Sequence, residues 1–315
     1  MMPSPRIVML GTGDFALPTF EYLCETGHGV VALITQPDRP QGRKQLLIPS
    51  EIKRSAIGRS IRVEQPEDVN APAALDLVRS LDPDLLVTAA YGQILSPALL
   101  AIPPLGGINL HGSILPAYRG AAPVARAIER GEGESGVTVI RMSPRIDAGG
   151  MIAFARTAIG PDETAGELEA RLAGLGGPLV AGSIAALVAG TAVILPQDKS
   201  KVTRAPKLRK EDGRIDWAKP NAEIHDLVRA MQPWPIASTT WIRPDGPARL
   251  IVHQTRPVEG QGDPGRVLEA LGDRFIVAAG RGAVQLLNVQ LEGRKVVPAE
   301  VFLRGHHPHG DFMAS

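Results

Sequence analysis

An apolar strand that runs straight into a glycine turn and then a helix limits this chain more than any other feature. Residues 6–10 (Arg-Ile-Val-Met-Leu) lead into Gly11, Thr12 and Gly13; a helical pattern follows over 17–26, and 30–35 is a second β-branched run. Strand, glycine turn, helix, strand is a βαβ unit, and strands this apolar are buried on both faces of a parallel sheet. Further strand-like runs at 84–88, 107–110 and 137–142 alternate with helical patterns at 72–81 and 122–130. The expected fold class is α/β, a doubly wound, mostly parallel sheet of Rossmann-like type.

The texture changes along the chain. Residues 164–188 read as one helix, opened by Thr164 and Glu167 in a capping-box pattern. Residues 196–211 are polar, charged and short of large apolar groups, which suits a linker, placed at 194–210. From 211 onward one helix is expected at 221–231. Short strands then follow at 238–242, 249–254, 265–270, 275–278 and 283–291, split by Gly and Pro. That spacing predicts a small, OB-like β-barrel. With 315 residues, two domains are expected: 1–193, and 211–315 after the linker.

Composition narrows the class. No apolar run reaches the roughly 18 residues a bilayer span needs; 179–195 comes nearest, interrupted by Gly182, Ser183 and Gly190. The single cysteine, Cys24, permits no internal disulfide and is too few for a cysteine-built zinc site. Cys24 reads as a small buried hydrophobe, and the chain as a cytoplasmic protein without a resident metal. His306, His307 and His309 lie near a chain end and read as solvated. Net charge is +1, but 1–200 carry 17 Lys+Arg against 20 Asp+Glu, and 201–315 carry 17 against 13. The mildly basic C-terminal third hints at a polyanionic partner.

Two segments carry the chemistry. In 107–123 (GINLHGSILPAYRGAAP) a strand ends by placing Asn109 and His111 at i and i+2, on one face. Strand ends of this kind border the ligand crevice of an open α/β sheet. Asn109 offers an N–H to an oxyanion, and His111 a hydrogen bond or a proton near neutrality. In 136–151 (GVTVIRMSPRIDAGGM) another strand runs into a glycine-rich loop bearing Asp147, which could accept from His111 and orient it. An isolated Asn-x-His or a loop Asp is ordinary turn chemistry; the long loop after His111 argues otherwise. A rival reading starts from Gly11-Thr12-Gly13-Asp14-Phe15-Ala16, which matches G-x-G-x-x-A, with Asp38 placed for a ribose. That would make an NAD-binding oxidoreductase, although Asp14 puts negative charge where a pyrophosphate would sit.

Asn109-x-His111-Gly112-Ser113-Ile114-Leu115-Pro116, Arg119-Gly120-Ala121-Ala122-Pro123 and Asp147 in Asp-x-Gly together resemble the 10-formyltetrahydrofolate-dependent formyltransferases. The resemblance implies a formyl group on N10 of a folate co-substrate, attacked directly by an acceptor amine. It casts Asn109 and protonated His111 as stabilisers of the tetrahedral oxyanion, with Asp147 holding His111 and assisting proton removal. It also implies that Ser113, Ile114, Leu115 and Pro116 line the folate, together with Tyr91, Gly92, Gln93 and Ile94. Gly13 stands where the family commonly has Pro.

Within the family, 35–44 (TQPDRPQGRK) looks like the basic loop of the members that act on initiator methionyl-tRNA, with Arg39, Arg43 and Lys44 facing phosphates. Lys207 is a fourth candidate contact. Arg214-Ile215-Asp216-Trp217 and Gln232-Pro233-Trp234-Pro235 resemble the start of the C-terminal domain those members place against tRNA, although both tryptophans also read as core residues. Members that formylate sugar nucleotides can carry a similar domain, so an amino-sugar nucleotide stays open as the acceptor. The resemblance thus implies a tRNA partner, a small-molecule folate and no membrane; a monomer is expected.

Overall fold

The computed structural model describes residues 4–41, 46–243 and 245–314. The first part of the chain forms β1 (Arg6–Gly11), α1 (Leu17–Glu25), β2 (Gly29–Ile34), two-residue strands β3 (Pro40–Gln41) and β4 (Leu46–Leu47), α2 (Glu51–Gly58), β5 (Arg62–Glu64), α3 (Pro72–Ser80) and β6 (Leu85–Ala89). Next come α4 (Pro97–Leu100), β7 (Gly107–His111), β8 (Arg119–Gly120), α5 (Pro123–Glu129), β9 (Glu134–Arg141), β10 (Met151–Ala158), α6 (Ala165–Val188) and β11 (Arg204–Ala205). The last part holds α7 (Asn221–Ala230), β12 (Ala237–Ile242), β13 (Ala248–Val258), β14 (Val267–Leu271), β15 (Arg274–Ala278), β16 (Ala283–Leu291), β17 (Val297–Pro298), α8 (Ala299–Gly305) and β18 (Phe312–Ala314).

Two compact units result. The first gathers Met1–Gly120, Ser135–Thr157 and Glu169–Ala205; the second gathers Ala121–Glu134, Ala158–Leu168 and Pro206–Ser315.

The first unit is built on a sheet in the order β10-β9-β7-β6-β1-β2-β5. The pairs from β5 through β7 are parallel, and β9 runs antiparallel to β7, so the sheet is mostly parallel as the βαβ pattern requires. Ile7, Val8, Met9 and Leu10 of β1 are all fully buried, which needs cover on both faces. Phe20 and Leu23 of α1 are fully buried too, each burial worth about 1.5–3 kcal/mol. By length and composition α6 could cross a membrane. Here Leu172, Ala173, Val180 and Ile184 are at most 1% exposed, so it is a core helix of the fold. The Thr164–Glu167 capping box forms, Thr164 N donating to Glu167 Oε2 at 2.9 Å and Glu167 N to Thr164 Oγ1 at 3.3 Å.

The second unit is a curled antiparallel sheet in the order β14-β15-β16-β13-β12-β18, with β17 on β16. Its two edges meet, because Met313 N donates to Gly265 O at 2.8 Å and Val267 N to Asp311 O at 3.0 Å. The barrel core holds Trp217, Trp241, Phe275 and Phe302, with Ile224 and Val228 of α7. Trp217 is the core residue the sequence suggests, and its indole N–H donates to Thr239 Oγ1 at 2.9 Å. Trp234 is not: it is 53% exposed, just beyond the end of α7. His306 also departs from expectation. Its ring packs on Phe302 and Trp241, centroids 4.5 Å and 5.5 Å away, and burial pushes its pKa down.

Candidate active site

In a parallel sheet every strand ends on the same edge, so the loops after β1, β2, β6 and β7 gather there. Side chains knit them together. Gln36 N donates to Thr12 Oγ1 and Gln36 Nε2 to Tyr91 O, both at 3.1 Å. Gln93 accepts from Val69 N at 2.9 Å and donates to Glu67 O at 3.2 Å.

Asn109 and His111 occupy alternate positions at the end of β7 and share a face, as their spacing predicts. Thr88 on β6 lies directly across the ladder from Asn109 and donates its hydroxyl to Asn109 Oδ1 at 2.6 Å. That bond occupies the carbonyl end of the amide and leaves the Nδ2 end to donate elsewhere. His111 is 6% exposed, and its Nε2 lies 2.9 Å from Tyr118 O. A carbonyl only accepts, so Nε2 carries hydrogen and Nδ1 is the position that gains or loses a proton.

Asp147 comes from the loop between β9 and β10 and meets His111 there: its Oδ2 stands 3.6 Å from His111 Nδ1. That is beyond direct hydrogen-bond length and close enough for strong charge coupling. The same oxygen accepts from Gly120 N at 2.9 Å. Asp147 takes φ +48°, and Gly149 behind it leaves no space, since a Cβ there would overlap Arg141 O. Gln197 Nε2 donates to the carbonyls of Asp147 and Gly149 at 2.8 and 2.7 Å.

The residues expected to line a folate differ in what they present. Ser113 is 1% exposed and donates to Ala117 O at 2.7 Å; Leu115 is buried, while Ile114 and Pro116 are half-buried. Thr138 ties this loop down, donating to Ser113 O at 2.7 Å and accepting from Leu115 N at 3.1 Å. Tyr91 is 4% exposed and its hydroxyl has no hydrogen-bond partner among the described residues. Burial first, and Asp68 second, push its phenol up to about 12. Gly92 and Ile94 are exposed, and Gln93 is spent on the tethers above. Gly13 adopts φ +74°, a conformation proline cannot take, so this turn follows a path closed to the family's usual residue.

Of the basic candidates, Arg39 is exposed and pairs with the equally exposed Glu67 at 2.8 Å. Arg43 and Lys44 lie outside the described residues, and Lys207 is exposed in the second unit. Asp38, the ribose candidate of the NAD reading, is bound by Lys53 and Gln65, and the Lys53 hydrogen bond holds its carboxyl below the usual range. Near the glycine turn stand Asp14 and Glu169; burial raises the Glu169 pKa, and Asp14 adds to it. Two carboxyl groups there make a poor seat for a pyrophosphate. Among the described residues no group of three or more His, Cys, Asp or Glu gathers as a metal site would require.

Thr88, Tyr118, Thr138 and Gln197 were not singled out by the sequence. Thr88, Thr138 and Gln197 act through contacts distant in sequence, Tyr118 through its carbonyl seven residues from His111, and none carries a local motif. Thr88 alone left a trace, since pairing two adjacent parallel strands in register sets it beside Asn109.

Residues 5–181 match the formyl transferase family, and 207–307 match the formyl transferase C-terminal domain. The chain is 45% identical to methionyl-tRNA formyltransferase of Solibacter usitatus (strain Ellin6076), over 95% of both chains. In fold it resembles WlaRD, a sugar 3N-formyl transferase, with TM-score 0.67 at 17% identity over 93% of this chain and 100% of that one. It also resembles HypX from Aquifex aeolicus, with TM-score 0.61 at 18% identity; this chain spans 96% of its own length but only 49% of that protein. The chain belongs to the formyltransferase family and, within it, stands with the methionyl-tRNA formyltransferases.

Proposed function

We propose that this protein moves the formyl group of 10-formyltetrahydrofolate onto the free amino group of initiator methionyl-tRNA, giving N-formylmethionyl-tRNA. One observation carries the reading: Asn109, His111 and Asp147 meet at the C-terminal edge of the sheet, in a chain 45% identical over 95% of its length to a methionyl-tRNA formyltransferase. The folate supplies the formyl group on N10. As the acceptor amine adds to the formyl carbon, its oxygen gathers negative charge. Asn109 Nδ2 is turned to donate there because Thr88 holds Oδ1. His111, protonated at Nδ1, adds a second donor, and the Asp147 carboxylate stands 3.6 Å from that nitrogen. The amine must then lose a proton, and Asp147 is the base at hand, through a water that the 3.6 Å gap has room to involve. The C–N10 bond breaks, N10 leaves with a proton, and the new amide remains on the methionyl group.

What supports folate binding is strand-end loops fixed to one another by Gln36 and Gln93, and a buried Tyr91 hydroxyl that gains a partner if a polar ligand group reaches it. Tetrahydrofolate forms are named with HypX and WlaRD. What supports an RNA acceptor is exposed Arg39 and Lys207 and the basic C-terminal third. The exposed Arg39–Glu67 pair is worth at most about 1 kcal/mol, so a phosphate can displace Glu67 cheaply. The protein is read as a cytoplasmic monomer. The test is transfer of a labelled formyl group from 10-formyltetrahydrofolate, followed on the methionyl α-amine by mass spectrometry. Label on methionyl-tRNA, absent with uncharged tRNA, is the expected result; release of the label to water alone would overturn the proposal.

A further inference from the structure

We infer that Gln197 is a positioning residue for Asp147 and works as a clamp together with Arg119. The inference rests on the role proposed above for Asp147. Gln197 lies in the polar stretch that the sequence presents as a connector. Its side-chain amide is used at both ends. Nε2 donates to Asp147 O and Gly149 O, while Oε1 accepts from Arg119 Nε at 3.0 Å and Nη2 at 2.6 Å. All four hydrogen-bonding positions of the amide are therefore engaged.

The need for such a clamp follows from the loop it holds. Asp147 at φ +48° sits in the left-handed region that an L-residue adopts mainly when its surroundings enforce it. The carboxylate accepts one hydrogen bond, from Gly120 N, and at 3.6 Å His111 is too far to add a direct second one. Gln197 holds the main chain of the same residue from behind. The front and rear anchors come from one place. Tyr118, Arg119 and Gly120 are consecutive: Tyr118 O receives His111 Nε2, Arg119 holds Gln197, and Gly120 N holds the Asp147 carboxylate. That tripeptide is itself fixed by Thr203, whose Oγ1 accepts from Tyr118 N at 2.8 Å and whose carbonyl accepts from Arg119 N at 3.0 Å, and by the pairing of β8 with β11. Residues 197–205 thus set the separation of His111 and Asp147.

The test compares Gln197→Met, which keeps length without polar groups, with Gln197→Glu, which keeps the Arg119 partner but turns an acceptor onto two carbonyls. Both are made in the full chain, alone and with Asp147→Asn, and assayed with 10-formyltetrahydrofolate and methionyl-tRNA. A shift of about 1 Å in a catalytic group costs on the order of 100-fold. We expect kcat to fall about 10- to 100-fold in both variants, with both KM values within about twofold. In the Asp147→Asn background the further loss should be under about threefold, since residues acting as a unit are not additive. Wild-type kcat in the Gln197 variants, with Asp147→Asn impaired, would overturn the clamp and leave the role of Asp147 standing. Full activity in Asp147→Asn would remove both. A fall in Tm with unchanged kcat, or a rise in both KM values with unchanged kcat, would mark Gln197 as merely structural. If Gln197→Met does not fold, Gln197→Glu decides, because its ion pair to Arg119 preserves the packing.

Discussion

Asp147→Asn separates charge from geometry at this site. A single oxygen, Oδ2, both accepts from Gly120 N and faces His111 Nδ1. An asparagine can put its amide oxygen in that place and keep both contacts, so the loop has no cause to move. What disappears is one negative charge 3.6 Å from Nδ1. With an effective dielectric constant of about 20, Coulomb's law gives about 4–5 kcal/mol between unit charges at that distance. The side chains of His111 and Asp147 are 6% and 13% exposed, so bulk water reduces that figure only in part. At about 1.4 kcal/mol per factor of ten, the loss corresponds to roughly 100- to 1000-fold in rate. The assay is labelled formyl transfer to methionyl-tRNA, with kcat, both KM values and a thermal melt. Expected are that fall in kcat, KM values within about threefold, and a Tm within about 2 °C of wild type. A kcat within about threefold of wild type would refute the electrostatic role of Asp147.

Other consequences follow from particular contacts. Tyr91→Phe should cost no stability at neutral pH, because the hydroxyl it removes has no partner among the described residues, yet it should raise the KM for the folate if that hydroxyl meets the ligand. The Tyr91 phenol is raised to about 12, whereas an unfolded tyrosine ionises near about 10, so the folded state keeps the proton longer. The phenol therefore leaves stability unchanged below pH 10 and lowers it as pH rises from 10 toward 12, because only the unfolded chain gives up the proton there; denaturant midpoints at pH 9, 10 and 11 should fall less in Tyr91→Phe. Gly149→Ala should abolish most activity and lower Tm, because the new methyl displaces the Asp147 loop from the Arg141 carbonyl; wild-type kinetics would show that the loop yields freely. Raising salt should increase the KM for methionyl-tRNA with a log–log slope of roughly 0.7–0.9 per phosphate contacted and leave the folate KM nearly flat. Arg39→Ala and Arg43→Ala should each reduce that slope; equal effects on both substrates would detach the loop from RNA binding.

The sheet was legible because its strands are apolar on both faces: 6–10, 84–88 and 107–110 all became neighbours in one parallel ladder. The barrel strands were legible from Gly and Pro punctuation at 243–247 and 257–265. What escaped was weakly patterned. α2 buries only Ile52 and Ala56, too few to show a helical period, and β10 is half-exposed along its length. His306 was misjudged because its neighbours Trp241 and Phe302 lie far or ambiguously placed in sequence, and only the barrel brings the three rings together. The site divides similarly. Asn109 and His111 are two residues apart and readable from strand alternation, whereas the supports given by Thr88, Tyr118 and Gln197 depend on tertiary contacts with no local signature.

The most direct measurement is a competition: methionyl-tRNA and a 4-amino sugar nucleotide together with limiting 10-formyltetrahydrofolate, and the label on each followed over one turnover. The formyl group is expected to go to methionyl-tRNA, and Asn109→Ala to slow this by roughly 100- to 1000-fold. Label appearing on the sugar nucleotide alone would contradict the proposed acceptor and give the basic C-terminal third some task other than holding RNA.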